Sequence, residues 1–310
     1  MRTRFAPTPS GYLHIGNAWS FVLTWLMARS QGGLIHLRID DLDVARFREE
    51  YLEDIFASLQ WLGLDWDSGP RNTKEFQASF SQRNRMPEYE HALAALKGQV
   101  YGCECSREQA KKDSEVADNP SVYAGTCRNK GLGFEEGKRA LRYRVSPEPV
   151  VPHDESGKPF ELHPSQDMGD FVVQQRNGDP GYQLASVVDD ESLSIDFVVR
   201  GQDLLPSTGA QVSLAISLGL EHFPKARFWH HALILDDAGE KLSKSAGAES
   251  LQALRGKFSD PAPVFRFFAR HMGLEPSGIK SAHDLLDGFR VEKVATMPLR
   301  LSEFWREAGE

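Results

Sequence analysis

The first forty residues constrain the fold more tightly than any other stretch. Arg2 to Ala6 is spaced as a short strand, Pro7-Thr8-Pro9-Ser10-Gly11 as a rigid loop, and Asn17 to Ser30 as a helix with mostly apolar faces. Gln31-Gly32-Gly33 stops that helix, since glycine takes the left-handed C-terminal conformation without a Cβ penalty. Leu34 to Ile39 then reads as a second strand. A strand, helix and strand of these lengths predict a right-handed parallel crossover, and hence an α/β protein. Tyr51, Leu52, Ile55, Phe56, Leu59 and Leu62 share one stripe and predict another amphipathic helix, with Gly63 past its end.

Beyond about Gly98 this character breaks off. Between Cys103 and Pro152 the chain is polar, with one strand candidate at Leu141 to Val145. Strand patterns resume at Phe171 to Val173, Ile195 to Val199 and Phe228 to Leu235. After Ser245 the pattern is helical, and Val264 to Phe268 is too apolar to remain exposed. The expected organisation is a doubly wound domain in two halves, 1–97 and 181–250. An inserted module at 98–180 separates them, and a helical region at 251–310 follows.

Composition narrows the class. A chain of 310 residues, 40% of them hydrophobic, can build roughly two globular domains. The longest apolar stretch, Phe21 to Ala28, is broken by Thr24 and falls far short of the roughly 18 residues of a membrane span. No basic segment precedes it, so a cytoplasmic protein without a membrane partner is expected. The net charge of -8 argues against non-specific coating of nucleic acid but permits a local basic face.

Two short segments carry phosphate chemistry. His14-Ile15-Gly16-Asn17 closes the first loop and opens the first helix, where backbone N–H groups and the helix dipole favour an anion. Gly16 admits a ligand close to the backbone, and His14 can donate to a phosphate oxygen. Asn17 equally suits a plain helix N-cap. Lys241-Leu242-Ser243-Lys244-Ser245 sets two ammonium groups and two hydroxyls on a loop, which suits charge developing on a leaving pyrophosphate. A solvated surface loop would have the same composition.

The three cysteines, Cys103, Cys105 and Cys127, fall within 25 residues. Random placement would achieve that roughly 2% of the time, so the cluster needs a cause. Three thiolates suit tetrahedral zinc and leave a fourth ligand to find. With no histidine between His91 and His153, the candidates are Asp113, Glu115, Asp118 and Tyr123.

Read together, these segments resemble a class I aminoacyl-tRNA synthetase, with an HIGH-like and a KMSKS-like signature in family order. The wording around them is similar to the glutamyl-tRNA synthetase family. The matching blocks are Arg4-Phe5-Ala6-Pro7-Thr8-Pro9-Ser10-Gly11-Tyr12-Leu13-His14, Leu37-Arg38-Ile39-Asp40-Asp41, Gly169-Asp170-Phe171 through Tyr182-Gln183-Leu184-Ala185, Val187-Val188-Asp189-Asp190, and Val199-Arg200-Gly201-Gln202-Asp203. The resemblance implies a Rossmann-like catalytic domain, an inserted zinc-containing acceptor-binding module and a C-terminal helical stem-contact region. The end of the chain at residue 310 and the pattern Cys103-x-Cys105 with Tyr123-x-x-x-Cys127 point to a truncated, glutamyl-Q branch. Members of that branch attach glutamate to queuosine at the wobble position of tRNA(Asp). The resemblance selects Tyr123 as fourth ligand of one structural zinc per chain.

The same resemblance implies ATP with magnesium as co-substrate and a monomer. Catalysis would fall to His14, Lys241 and Lys244, and ATP binding to His14, Gly16, Asn17 and Lys244. Glutamate would be bound by Arg4, Phe5, Ala6, Pro7, Thr8, Ser10, Asp40, Tyr182 and Arg200. Charge supports the division, because two carboxylates and one ammonium call for two cationic or multi-donor partners and one anionic partner. Arg4, Tyr182 and Arg200 serve the carboxylates, and Asp40 with Thr8 and Ser10 serves the ammonium. Most relatives carry Glu where this chain has Asp40, a feature shared with glutaminyl enzymes. The alternatives are a minimal glutamyl- or glutaminyl-tRNA synthetase charging a tRNA 3′ end, a nucleotidyltransferase without an RNA substrate, and a non-catalytic tRNA-binding module.

Overall fold

The computed structural model describes residues 1–116, 122–242 and 250–308. The chain divides into two compact units. One is formed by Met1–Asn84, Val198–Asp203 and Trp229–Glu310, the other by Arg85–Phe197 and Leu204–Phe228.

The first unit is built on the expected crossover. Strand Arg2–Phe5 pairs in parallel with Leu34–Leu37, in register from Arg2↔Leu34 to Phe5↔Leu37. The connecting helix, Ile15–Ser30, starts two residues earlier than its pattern predicts and buries Trp19, Val22, Trp25 and Leu26. Thr24 does not interrupt the apolar face, because its hydroxyl donates to the Ser20 carbonyl at 2.7 Å. The amphipathic stripe forms helix Glu49–Trp61, with Leu52, Ile55 and Leu59 buried.

The strand expected over Phe228 to Leu235 is instead two, Arg227–His231 and Ile234–Leu235. Between them the Ala232 carbonyl accepts the Trp19 indole N–H at 3.1 Å and the His231 Nδ1–H at 2.9 Å, so it is taken up by side chains. Ile234–Leu235 then pairs in parallel with Leu299–Arg300. The Phe-rich segment lies in helix Ala262–His271 and is buried. The Phe268 ring sits 4.9 Å from Trp19, and Phe267 lies 5.8 Å from Phe304 of the last helix, Leu301–Glu307. Each such phenyl removed from water contributes about 2 kcal/mol, which fixes the helical region onto the first helix.

In the second unit, Val100–Cys103, Ala140–Tyr143 and Val172–Gln174 form a three-stranded antiparallel sheet. Leu96, Tyr143, Val145, Phe171, Val173, Leu184 and Leu214 make its core, backed by helices Met86–Ala95, Tyr182–Ser192 and Leu205–Ser217. The polar stretch also holds a helix, Arg107–Val116, which apolar periodicity did not mark because its face is polar. Among the described residues no helix is long and apolar enough to cross a membrane.

Candidate functional site

His14 is the N-cap of the first helix, a place the sequence suggested for Asn17. Asn17 occupies the third helical position and completes a reciprocal cap. The Asn17 backbone N–H donates to His14 Nδ1 at 3.3 Å, and the His14 backbone N–H donates to Asn17 Oδ1 at 3.0 Å. An accepting Nδ1 makes Nε2 the protonated nitrogen of the neutral ring, which is the donor an anionic ligand needs. Gly16 has a steric reason to be glycine. A Cβ there would stand 3.0 Å from both Cε1 and Nδ1 of His14, so the imidazole would have to shift by a few tenths of an ångström to admit it.

The segment after the second phosphate-type signature returns to the first one. His14 forms an antiparallel bridge with Ser250, and the Leu251 N–H donates to the Leu13 carbonyl at 2.6 Å. Ser250 caps the following helix, Leu251–Lys257. Asp54 fastens the junction, accepting the Leu13 N–H at 3.3 Å on one oxygen and Arg255 at 2.7 Å on the other. Burial holds the Asp54 carboxyl above its ordinary range, although Arg255 pulls the other way. Neither Asp54 nor Arg255 was singled out by the sequence, since neither belongs to a motif. At the other end of the loop Lys241 bridges Leu235 and ion-pairs with Asp203. Lys244, with Ser243 and Ser245, lies outside the described residues.

Arg4 and Arg200 are both buried in the first unit, at 6% and 4% exposure. Asp40 lies beside the Thr8–Ser10 loop, its N–H donating to the Pro7 carbonyl at 2.9 Å. Its carboxylate is gripped by Arg38, from Nε to Oδ1 at 2.7 Å and from Nη2 to Oδ2 at 3.1 Å. Arg38 was quoted in the sequence without a role, although its place two residues before Asp40 on an extended segment puts both on one face. Phe5 ends the first strand and is fully buried. Tyr182 opens helix Tyr182–Ser192 in the second unit and is 48% exposed.

The second unit gathers the cysteines. Their three sulfurs lie within 4.8 Å of one another, and all three thiols are free. The Tyr123 hydroxyl stands 3.4 Å from Cys103 Sγ and 3.5 Å from Cys105 Sγ, and Cys105 Sγ is 3.5 Å from Cys127 Sγ. A tetrahedral ion about 2.3 Å from sulfur and about 2.0 Å from oxygen separates sulfur from oxygen by about 3.5 Å and sulfur from sulfur by about 3.8 Å, so the cluster is compatible with zinc. Of the other candidates, Asp113 is held by Gln109 and Thr126, each at 2.6 Å, and Asp118 lies outside the described residues. Nothing is described of the Glu115 side chain. Burial pushes the Cys105 thiol up to about 11, and the neighbouring Cys127 and Cys103 sulfurs add to the rise. A bound cation would offset that rise and favour the thiolate.

The parallel crossover, the two signature segments in family order and the buried cations are features of the catalytic domain of a class I aminoacyl-tRNA synthetase. The family model for class I tRNA synthetases (E and Q), catalytic domain, matches residues 1–307, and the chain belongs to that family as a synthetase-like ligase. It is 38% identical over 312 residues to the glutamyl-Q tRNA(Asp) synthetase of Symbiobacterium thermophilum, covering 96% of this chain and 95% of that one. With the enzyme of the same name from Nitratidesulfovibrio vulgaris it shares 37% identity, over 97% of this chain and 94% of the relative. The glutamate–tRNA ligase of Geobacter sulfurreducens is 35% identical over 95% of this chain, which spans 62% of that protein. The crystal structure of a glutamate tRNA ligase from Elizabethkingia meningosepticum superposes with a TM-score of 0.77 at 24% identity, over 99% of this chain and 68% of that one, a likeness of fold.

Proposed function

We propose that this chain activates L-glutamate with ATP and transfers it to queuosine at the wobble position of tRNA(Asp). The cap that leaves His14 Nε2 as a donor at the start of the first helix carries the reading, because it sets a phosphate donor where helix N–H groups also favour an anion. The glutamyl-Q names of two relatives at 38% and 37% identity and the Cys103, Cys105, Tyr123 and Cys127 cluster support the finer assignment. In the first step a glutamate carboxylate oxygen attacks the α-phosphorus of ATP in line. The new O–P bond replaces the bond to the bridging oxygen, and pyrophosphate leaves with the electron pair. A queuosine hydroxyl then attacks the carbonyl carbon of the adenylate, gives up its proton, and AMP departs.

His14 donates to the phosphate through Nε2, Gly16 keeps the ring in place, and Asn17 holds it there. Lys241 and Lys244 offset charge on the departing pyrophosphate, with magnesium accompanying ATP. Arg4 and Arg200 take the carboxylates and Asp40 the ammonium, with Phe5, Ala6, Pro7, Thr8 and Ser10 lining the pocket. The role of Tyr182 rests on the resemblance alone. Since every α-amino acid presents an ammonium, Asp40 does not distinguish glutamate from glutamine, whereas a buried cation such as Arg4 does.

Zinc held by Cys103, Cys105, Cys127 and Tyr123 supplies a structural cross-link when bound. Residues 98–180 serve as the acceptor-binding module and 251–310 as the stem contact, in a cytoplasmic, monomeric enzyme. ATP–pyrophosphate exchange tests the amino-acid assignment. Glutamate should support exchange at least about 10²-fold better than glutamine or aspartate. Equal kcat/KM for glutamate and glutamine would overturn it in favour of a glutaminyl enzyme.

A further inference from the structure

The thiol cluster carries a charge problem that its own ligands do not solve. Three thiolates around a dication leave a net charge of about -1, and a phenolate ligand would double it. A partly buried site needs that charge offset by a fixed cation. Several cations stand near, and most are engaged elsewhere. Lys130 pairs with Glu104 at 2.9 Å on the surface, and Arg128 pairs with Asp170 at 2.5 Å. Arg176 donates to the carbonyls of Glu104 and Cys105 at 2.6 and 2.8 Å.

Arg142 is placed differently. Its guanidinium carbon lies 3.7 Å from the centre of the Tyr123 ring. Its Nη1 donates to the Asp170 carbonyl at 2.6 Å, which fixes the plane of the group. Asp170 is itself immobilised, its carboxylate accepting the Tyr101 hydroxyl at 2.7 Å and the Val145 N–H at 2.9 Å. Tyr123 is brought to this face by its bridge to Gly169, whose φ is +64°. A Cβ at Gly169 would fall 2.6 Å from Val122 Cγ1, so only glycine lets the Tyr123 segment approach. The strand register completes the picture, with Arg142 opposite Tyr101 on one side and Val172 on the other.

We propose that Arg142 is a positioning residue of the metal centre, holding the Tyr123 ring in ligating position and offsetting the negative charge left by three thiolates and a dication. The inference rests on the zinc reading above. A rigid guanidinium stacked on the ring does both jobs at once, whereas an ammonium would supply the charge without the planar stack.

The test uses the full chain as purified and as reconstituted with cobalt(II). Zinc affinity is read by competition with a chromophoric chelator, and ligand geometry by the thiolate-to-cobalt and ligand-field absorption bands. Arg142→Met should weaken zinc binding about 10- to 100-fold and alter the cobalt spectrum, the scale expected when a group orienting a ligand is lost. Arg142→Lys should recover part of the affinity. Lys130→Met, which removes an exposed cation already paired with Glu104, should stay within about twofold of the unmutated chain. Should Arg142→Met fail to fold, a several-fold loss in Arg142→Lys is the expected result and no loss overturns the inference. Zinc affinity and cobalt bands in Arg142→Met matching those of a zinc-binding unmutated chain would overturn the role of Arg142 alone. Absence of zinc from the unmutated chain would overturn the metal reading and this inference with it.

Discussion

Arg255 donates to Asp54 at 2.7 Å across 201 residues of sequence, and the other Asp54 oxygen accepts the backbone N–H of Leu13. One buried carboxylate therefore ties the residue before His14 to the helix that follows Ser250. Removing one partner of such a pair strands the other charge, at a cost of about 3 kcal/mol. Asp54→Leu should lower stability by that order in urea unfolding. The double variant Asp54→Leu with Arg255→Leu should regain most of it, because no charge remains stranded. Exchange activity should stay low in both, since Leu13 has lost its acceptor; full activity in the double variant would show that the tie is structural only.

Gly16→Ala tests the imidazole placement. The added methyl meets the His14 ring at 3.0 Å, and shifting the donor by a few tenths of an ångström should slow glutamate-dependent exchange several-fold. The thermal midpoint should move little. An unchanged kcat would mean that His14 does not donate to the reacting phosphate.

Arg38→Lys tests the ammonium site. Lysine keeps the charge and loses the two-point grip on Asp40, so the carboxylate is held less precisely. The KM for glutamate should rise about tenfold in pyrophosphate exchange, with the KM for ATP within about twofold. A rise confined to ATP would move Asp40 out of the amino-acid pocket.

The neighbouring His230 and His231 make the first unit acid-sensitive. Burial lowers His231 to about 4 and His230 to about 3, with the Arg200 charge assisting at His230. The unfolded chain protonates these rings below about 6.5 while the folded chain does not, so the unfolded state binds more protons in between. Their contribution is complete above about pH 6.5 and is lost as pH falls towards 4, on the order of 3 kcal/mol for the fully buried His231. Urea unfolding at pH 7.5 and pH 5 should show about 2 kcal/mol of that loss from His231, the rest appearing between pH 5 and pH 4. His231→Asn, which retains a donor for the Ala232 carbonyl, should flatten the pH dependence, and an unchanged slope would rule out His231 as its source.

Local pattern made part of this molecule legible. The crossover from Arg2 to Leu37 follows from periodicity and the glycine stop, and the thiol cluster from the spacing of Cys103, Cys105 and Cys127. What periodicity did not reach is long-range. Asp54 and Arg255 belong to two helices with no shared motif, and the break at Ala232 depends on the Trp19 indole, 213 residues away. The helix Arg107–Val116 escaped because burial, which gives a helix its stripe, is slight there. Arg38 was within reach, being two residues from Asp40, but a charged neighbour reads as a solvated face until its partner is seen.

The central claim concerns where the glutamate goes. Radiolabelled glutamate should be offered with ATP to intact total tRNA, to tRNA trimmed of its 3′-terminal adenosine by an exonuclease, and to tRNA whose diols, terminal and queuosine alike, have been oxidised by periodate. Nuclease digestion then identifies the labelled nucleotide. Label on the queuosine nucleotide of tRNA(Asp), lost when that diol is oxidised and indifferent to the 3′ end, is the predicted result; label on the 3′-terminal adenosine would contradict it.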